Sequence, residues 1–358
     1  MAYTTIDDPS QHFNTILYTG NNAANRSITG AGFRPDWGWL KQRNGTGYHE
    51  LYDSTRGVTK ALHSNAIDAE VTTSALDSFD SDGITVSYDS SNSGSNGNGK
   101  TAVWWLWKAN GGTTSSNTDG SITSTVQANT TAGFSIVTYT GTGSNATVGH
   151  GLGKQPKLVI VKGRNFSASW GVLSTDVGAT KVAYLENTVY FFVSGGDSFW
   201  NDTNPTSSVF TLGNESSVNS SGVPFVAYCF AEIEGYSKIG SYTGNGTGTF
   251  GPFANGPFVY TGFKPAWVMI KRTDGSNGWN IFDNKRNPFN IVEKQLFANS
   301  NAAEEADAAH HAERDFLSNG FKLKGNGNDI NADGASYLYM AFAEHPFVSS
   351  EGVPVTAR

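Results

Sequence analysis

The stretch GFKPAWVMIK at residues 262–271 follows a Tyr-Thr-Gly triplet at residues 242–244. The same two elements occur near the start of the chain, as YTG at 18–20 and GFRPDWGWLK at 32–41. A diverged third copy lies between them, with YTG at 139–141 and GKQPKLVIVK at 153–162. The copies begin roughly 100–120 residues apart, which is too long for a solenoid unit and predicts small domains in tandem.

Each copy ends on an apolar run, and these runs help to set the predicted domain bounds. The runs are AVWWLWK at 102–108, FVAYCFAE at 225–232 and YLYMAFAE at 337–344. The sequence predicts an arm at 1–13, repeat 1 at 14–110, a linker at 111–132, repeat 2 at 133–235 and repeat 3 at 236–358. Within the linker, Ile122 and Val126 are the residues that could attach it to a sheet. No linker separates repeats 2 and 3, so we expect them to pack rigidly together.

The last closing run is apolar on both alternating faces, which indicates a strand covered on both sides. One face carries Leu338, Met340 and Phe342, and the other carries Tyr337, Tyr339 and Ala341. Aromatic residues make up 13% of the chain and glycine is abundant, a mix typical of short strands and tight turns. The predicted fold class is all-β, as tandem antiparallel β-sandwich domains of the jelly-roll or lectin-like kind.

One short helix is predicted in the last copy. The alanine-rich run 302–316 has Ser300 or Asn301 as a possible N-cap, and Glu304 and Glu305 would complement the positive end of a helix.

Composition argues against several classes of partner. The formal net charge is −7 and basic residues do not cluster, so we expect no nucleic-acid partner. The single cysteine, Cys229, excludes an intrachain disulfide and is expected to be a small buried hydrophobic residue. The N-terminus has neither a basic segment nor an apolar one, and no apolar span reaches 18 residues, so we expect neither a signal peptide nor membrane insertion.

Motifs for cofactors and metals are incomplete. GTGTFG at 246–251 matches the dinucleotide pattern G-x-G-x-x-G, but Pro252 and Pro257 block the helix that a pyrophosphate needs, so we expect no cofactor. Asp329, Asn331 and Asp333 match the first half of a calcium loop, yet Met340 stands where the bidentate glutamate belongs.

The remaining candidates for chemistry are adjacent polar pairs. His310 and His311 lie side by side and so cannot share a metal in the way that histidines four residues apart do. The close acidic pairs are Glu232 with Glu234 and Glu304 with Glu305, and neither pair lies among a set of aromatic residues. We therefore predict no metal, no catalytic residue and no enzymatic activity, and leave open whether the Asp329–Asp333 loop holds an ion.

Aromatic residues divide into core candidates and ligand candidates. Trp37, Trp105 and Trp267 occupy repeated positions and are expected in the core, whereas Trp200 is unmatched and is expected to anchor a loop. The candidates for ligand contact stand 13 to 14 residues after the proline of each repeat, and sugars stack on such rings when they are exposed. They are Tyr48, Trp170 and Trp279.

With these residues in view, the chain resembles the Gly/Asn-rich repeat-domain virion proteins of marine and aquatic tailed bacteriophages, which are often labelled tail-fibre-like. The resemblance covers nearly the whole chain, identifies no catalytic or ligand residue, and implies a virion component made in the bacterial cytoplasm. The matching segments are 1–9, 51–57, 107–112, 121–141, 284–286 and 340–344.

We therefore expect a virion protein of the tail, a fibre or host-adhesion component that contacts a cell-surface glycan. Its partners would be other virion proteins and other copies of itself, in a homotrimer whose avidity offsets weak single contacts. The alternatives are a capsid decoration or head-fibre protein held to the shell by residues 1–13, and a glycan depolymerase.

Overall fold

Antiparallel strand pairing accounts for nearly all regular structure in the computed structural model, which describes residues 4–90, 95–193, 195, 198–247, 255–305 and 312–355. The predicted all-β, sandwich-type fold is confirmed. Across the described residues, no helix has the length and apolar character needed to cross a membrane.

Repeat 1 contains nine strands, arranged as a main sheet and a smaller second sheet. They are β1 Phe13–Thr19, β2 Arg26–Thr29, β3 Trp37–Gln42, β4 His49–Asp53, β5 Lys60–His63, β6 Val71–Thr72, β7 Leu76–Asp80, β8 Gly83–Val86 and β9 Thr101–Trp107. The main sheet has the order β1-β9-β3-β4-β5-β6, and the second has the order β2-β8-β7.

Repeat 2 has the same plan with two extra strands at one edge of its main sheet. Its strands are β10 Ser115–Asn117, β11 Ser124–Asn129, β12 Phe134–Thr140, β13 Ala146–Gly149, β14 Leu158–Gly163, β15 Gly171–Ser174, β16 Lys181–Tyr184, β17 Phe192–Val193, β18 Val209–Leu212 and β19 Pro224–Phe230. The main sheet runs β10-β11-β12-β19-β14-β15-β16-β17, and β13 pairs with β18 in the second sheet.

Repeat 3 completes the series with eight strands. They are β20 Ser237–Thr243, β21 Phe258–Tyr260, β22 Phe263–Arg272, β23 Trp279–Asp283, β24 Leu296–Phe297, β25 Arg314–Leu317, β26 Gly320–Leu323 and β27 Ser336–Pro346. The main sheet runs β20-β27-β22-β23-β24, and the second sheet runs β21-β26-β25. The three main sheets therefore share one strand order, in which the closing strand lies next to the YTG strand. The YTG strand is at the sheet edge in repeats 1 and 3, and in repeat 2 the hairpin β10–β11 lies outside it.

The helix predicted over 302–316 is wrong in the part of this segment that the structure describes. Residues 302–305 lie outside any helix, and Arg314–Leu317 is strand β25, while 306–311 lie outside the described residues. Contacts with repeat 1 override the helical propensity, because the Glu304 N–H donates to the Arg43 carbonyl and the Glu304 carboxylate binds the Arg43 guanidinium. The α-helical turn that is described, α1 Ser216–Asn219, lies in repeat 2.

The predicted linker at 111–132 is largely sheet rather than a connecting loop. It contributes β10 and β11, and β11 pairs along the outer edge of β12 with Val126 opposite Val137. Val126 and Ile122, the two residues expected to attach this segment, are buried in the core of repeat 2. A segment with few large apolar groups can form strands here because the edge of β12 supplies its backbone partners.

One core is shared by all three repeats. It joins Trp37, Trp105 and Trp107 of repeat 1 to Tyr228 and Phe230 of repeat 2, and to the face of β27 that carries Leu338, Met340 and Phe342. The opposite face of β27, with Tyr337, Tyr339 and Ala341, packs in a separate core against the second sheet of repeat 3. Repeats 1 and 2 have equivalent private cores, so each main sheet is covered on both faces, as the sequence predicts for the closing strands.

The N-terminal segment packs on the chain itself. Ile6 enters the shared core, and the Asp7 carboxylate accepts hydrogen bonds from Ser350 near the other end of the chain. A 3₁₀ turn, Pro9–Gln11, then leads into β1.

A buried lysine closes each of the three inter-repeat interfaces, which we call seams 1–2, 2–3 and 3–1. The Nζ of Lys162 donates to the Ile67 carbonyl of repeat 1 at 3.1 Å, and that of Lys271 donates to the Thr188 carbonyl of repeat 2 at 3.0 Å. The Nζ of Lys41 donates to the Asn301 carbonyl of repeat 3 at 3.1 Å. The last contact joins the first repeat to the third, so the repeats form a closed pseudo-threefold ring.

Seams 1–2 and 3–1 also carry a buried ion network. In seam 1–2, Arg56 bonds Asp53 at 2.5 Å and Glu70 at 2.9 Å, and Glu70 receives a bidentate contact from Arg164 of repeat 2. Burial raises the pKa of Glu70, but the hydrogen bonds from the two arginines outweigh this effect and hold the pKa below its ordinary value.

Seam 3–1 repeats this network, whereas seam 2–3 replaces it with uncharged residues. Arg286 bonds Asp283 and Glu304, and Glu304 pairs with Arg43 of repeat 1. In repeat 2 the position of Asp53 is taken by Ser174, as the strand registers show, and the position of Arg56 is taken by Val177.

The ion pair of seam 1–2 is expected to be costly to break but replaceable. Arg56→Val leaves the buried Asp53 carboxylate without its cation and should lower the free energy of unfolding by about 3–5 kcal/mol. Adding Asp53→Ser installs the pair that repeat 2 uses and should recover most of the loss. Urea unfolding followed by tryptophan fluorescence measures both, and a double variant as unstable as the single one would contradict this account.

The seam lysines predict a rise of stability with pH. Burial lowers the pKa of Lys41 and of Lys162 to about 8, and that of Lys271 to about 7. An unfolded lysine titrates near 10.4, so between these values the unfolded chain binds more protons and the free energy of unfolding rises with pH. Each lysine adds at most about 1.4 kcal/mol per pH unit, and below pH 7 the cost of burying the charge is fully present.

Urea titrations at pH 8, 8.5 and 9 should show a smaller slope of stability with pH in Lys271→Met than in the wild type. Burial raises the pKa of the Cys229 thiol and of the Tyr236 hydroxyl, so groups of this kind oppose the rise when they ionise in the unfolded chain, but they do so equally in both proteins, and the difference between the two slopes reports Lys271. Equal slopes in the two proteins would show that Lys271 stays charged in the folded chain.

Candidate functional site

The candidate site is built where the chain passes from repeat 2 to repeat 3. After β19 the chain turns at Gly235, with φ +76°, and Ile233 bridges back to Ser237 at the start of β20. This turn places Glu232 beside Lys238, and the Glu232 carboxylate accepts hydrogen bonds from the Ile239 N–H at 2.9 Å and from Lys238 Nζ at 3.4 Å. One carboxylate of the acidic pair singled out in the sequence is therefore fixed in position, and Glu234 is exposed.

The opposite wall comes from β21, which pairs with β26 only, within the described residues. Alternation along this edge strand puts Phe258 and Tyr260 on the same outward face, where they are 44% and 54% exposed. Val259 between them points into the private core of repeat 3. The strand thus presents aromatic rings to solvent while its middle residue anchors it.

Together these walls enclose a cleft of about 410 Å³, which we call the Tyr260 cleft. This volume lies within the range of small-molecule sites in proteins. An accessible aromatic ring beside carboxylates, ammonium groups and a hydroxyl offers both a stacking surface and hydrogen-bond partners. The side chains that line the cleft are Lys154, Glu232, Glu234, Ser237, Lys238, Tyr260 and Thr261.

The three aromatic residues predicted to contact a ligand lie elsewhere, at the seams. Trp170 and Trp279 are buried, and their indole N–H groups donate across seams to the His63 carbonyl at 2.8 Å and the Tyr184 carbonyl at 2.9 Å. Tyr48 is half-buried and stacks on the His63 ring with 4.5 Å between ring centroids. In this arrangement, both tryptophans hold repeats together.

The structure also changes which residue of repeat 1 is equivalent to Trp170 and Trp279. Strand register pairs Lys41 with His49 and Lys271 with Trp279, so His49 rather than Tyr48 is the counterpart. His49 is buried beside the Phe297 carbonyl of repeat 3, without a well-formed hydrogen bond from its Nε2. Burial lowers the pKa of His49 well below its ordinary value, so the ring is neutral.

Asn331, from the calcium-like loop, has a structural role. Its amide nitrogen donates to the Thr247 and Gly325 carbonyls, and its oxygen accepts the Asn245 N–H at 2.9 Å. These bonds engage both the nitrogen and the oxygen of the Asn331 side-chain amide. Within the described part of the chain, no three metal-binding side chains form a cluster.

The same asparagine position explains the repeated Tyr-Thr-Gly triplet. In each repeat the tyrosine hydroxyl donates to the carbonyl just before a buried asparagine, and a Cβ on the glycine would lie within about 2.3 Å of a backbone oxygen just after it. Only glycine fits so close an approach. The hydroxyl contacts are Tyr18 to Ser95, Tyr139 to Val218 and Tyr242 to Ile330, and the asparagines are Asn96, Asn219 and Asn331.

The other residues considered in the sequence are buried or not described. Cys229 is buried in the core of repeat 2, and burial raises the pKa of its thiol. Trp200 is also buried there, as expected of a loop anchor. Glu304 belongs to the ion network of seam 3–1, while His310, His311 and residues 248–251 of the glycine-rich motif lie outside the described residues.

The Tyr260 cleft was missed because its residues come from two repeats: Lys154 and the acidic pair Glu232 and Glu234 belong to repeat 2, and Tyr260 belongs to a segment of repeat 3 that carries no motif. The available signal was the alternation of Phe258 and Tyr260, bounded by Pro257 and Gly262, which indicates a short edge strand with an aromatic outer face.

Fold and site together define a single-chain, pseudo-threefold assembly of β-sandwich repeats with a cleft of ligand size between two of them. The chain belongs to the family described as domain of unknown function DUF7483, whose model matches residues 8–346. That match spans all three repeats, so the family unit is the whole ring rather than one repeat. No curated protein and no solved structure matches the chain.

Proposed function

We propose that this protein is a non-enzymatic structural component of a bacteriophage virion, a tail fibre or tail-associated protein that attaches to cell-surface glycan through the Tyr260 cleft. The observation that carries the proposal is the exposed Tyr260 ring beside the carboxylates and ammonium groups of Glu232, Glu234 and Lys238. A sugar ring stacks its C–H face on such an aromatic surface and directs its hydroxyls to the polar groups around it.

The rigidity of the scaffold supports an attachment role. The shared core and the seam contacts hold the two walls of the cleft in fixed positions, so a ligand binds without a large ordering cost. Single contacts of this kind are weak, and several copies in one virion would supply avidity. The homotrimer suggested by the sequence stays a prediction. It concerns three separate chains and is distinct from the pseudo-threefold arrangement of the three repeats inside one chain.

Removal of the Tyr260 ring should weaken attachment. We expect Tyr260→Ala to lower the affinity for bacterial surface polysaccharide about tenfold, equivalent to about 1.4 kcal/mol. Binding to a panel of purified polysaccharides and to intact bacteria measures the change. Tyr88→Ala is the matched control, because Tyr88 is a similarly exposed tyrosine, at 48%, in repeat 1.

Three results would contradict the proposal. Equal binding by the wild type and Tyr260→Ala would exclude the cleft as the attachment site. Binding to empty capsids but not to polysaccharide would favour a decoration protein. Release of reducing ends by the wild type, lost in Glu232→Gln, would make the protein a depolymerase.

A further inference from the structure

The hairpin β10–β11 fills a slot in seam 1–2 that stays open in the other two seams. β11 lies along the edge of β12, and its Gln127 is buried between repeats 2 and 1. The Gln127 amide nitrogen donates to Ser54 Oγ at 3.0 Å and to Thr55 Oγ1 at 2.9 Å, both in repeat 1. A glutamine on an added strand thus supplies hydrogen bonds to the turn that follows β4 in the neighbouring repeat, a position we call the corner of that repeat.

The equivalent corners of repeats 2 and 3 are identified by one backbone hydrogen bond. The Ser54 N–H donates to the Asp36 carbonyl at 2.8 Å, the Thr175 N–H to the Lys157 carbonyl at 3.0 Å, and the Asn284 N–H to the Ala266 carbonyl at 2.9 Å. Ser54, Thr175 and Asn284 therefore occupy one position of the pseudo-threefold ring.

Among the described residues, the side-chain oxygen at this position is hydrogen-bonded in repeat 1 and unpaired in repeats 2 and 3. Ser54 Oγ accepts from the Gln127 amide and donates to Asp36 Oδ1 of its own repeat at 2.9 Å, whereas Thr175 Oγ1 and Asn284 Oδ1 are buried and make no hydrogen bond within the described chain. A buried polar atom left without a partner costs about 1–3 kcal/mol, so both open corners favour an incoming donor.

The edge strands differ between repeats in the same way as the corners. Ile136 in β12 faces Gln127, and its counterpart Thr15 in β1 has no neighbouring strand on that side among the described residues. The Thr15 N–H instead donates to Oδ1 of the Asn14 side chain at 2.9 Å. A seven-residue strand that has no neighbouring strand on one side is a template for strand addition.

In seam 3–1 this edge and corner line a single cavity of about 280 Å³, which we call the Asn284 cleft. Thr15 and Phe13 come from β1, and Asn284, Lys285 and Ala266 come from repeat 3. Ala266 stands where repeat 1 has Asp36, whose larger side chain binds the N–H groups of residues 109 and 111 in seam 1–2. The smaller side chain leaves room in this cleft.

We propose that the Asn284 cleft receives an extended segment of a partner protein, which adds to the edge of β1 and inserts a glutamine or asparagine amide between repeats 1 and 3. Rotation of the Asn284 amide turns its oxygen to accept the incoming N–H, and the Lys285 ammonium donates to the incoming carbonyl. The segment is uncharged and alternates small polar with apolar residues, as Ser124–Asn129 does. That segment of the chain is already paired with β12, so the proposed occupant of the Asn284 cleft is a segment of another polypeptide.

The test uses a peptide copied from the chain itself, residues 121–130, labelled and titrated with the full-length protein. We expect saturable binding, a loss of at least tenfold when glutamine in the peptide is changed to leucine, and the same loss for the Asn284→Leu protein. Asn214→Leu is the matched control, because Asn214 is exposed and makes no side-chain hydrogen bond within the described residues. Hydrogen exchange with bound peptide should show protection of Phe13–Thr19.

The peptide variants keep the test decisive if Asn284→Leu fails to fold. Absence of saturable binding at millimolar peptide would overturn the proposal. Protection of Phe134–Thr140 instead of Phe13–Thr19 would also overturn it, because the peptide would have displaced β11. The proposal does not depend on glycan binding, and Tyr260→Ala should leave peptide affinity unchanged.

Discussion

The shared core is the constraint on which the rest of the structure depends. Each main sheet has two apolar faces, and the second sheet of its own repeat covers only one of them. The other face is covered by the two neighbouring repeats, and seven of the nine tryptophans lie in this common core. A repeat separated from its neighbours would expose that whole face to water, which is why three repeats form one closed unit.

The three seams share a buried lysine contact and differ in whether they contain an ion network. All three use a buried lysine that donates to a carbonyl of the adjacent repeat, which fixes the same relative placement three times. Buried ion networks occur in seams 1–2 and 3–1, where the chain connection is long or absent. Seam 2–3 joins repeats that follow each other almost directly in sequence, and it has Ser174 and Val177 instead. We interpret the ion networks as devices that specify which surfaces meet, because the cost of desolvating two buried charges offsets much of the attraction between them.

Much of the fold could be predicted from the sequence because its signals are local and repeated. The YTG triplets and the two apolar faces of the closing strands correspond to the observed sheets. The helix predicted at 302–316 failed because Glu304, which suited a helix N-terminus, is bound by Arg43, some 260 residues away in the chain. The linker formed strands because β12 provided an edge for it.

The ring and its clefts could not be predicted in the same way. The seam lysines end the three copies of the repeated stretch, yet the sequence does not identify the carbonyl that each contacts in another repeat, and a buried lysine has the same sequence signature as an exposed one. The Tyr260 cleft likewise combines Lys154 from one repeat with Tyr260 from the next. By contrast, Asn96, Asn219 and Asn331 follow their tyrosines at similar spacings, so a three-way comparison of the repeats could have found them.

Hydrogen exchange in the native state, read by mass spectrometry at low urea, tests the central claim that the three repeats are one cooperative unit. The strands that line the shared core, β3 and β9, β14 and β19, β22 and β27, should open with the same free energy and the same urea dependence in all three repeats. Exchange of one repeat at a markedly lower free energy than the other two would show that it unfolds alone, and would contradict the account of a single shared core.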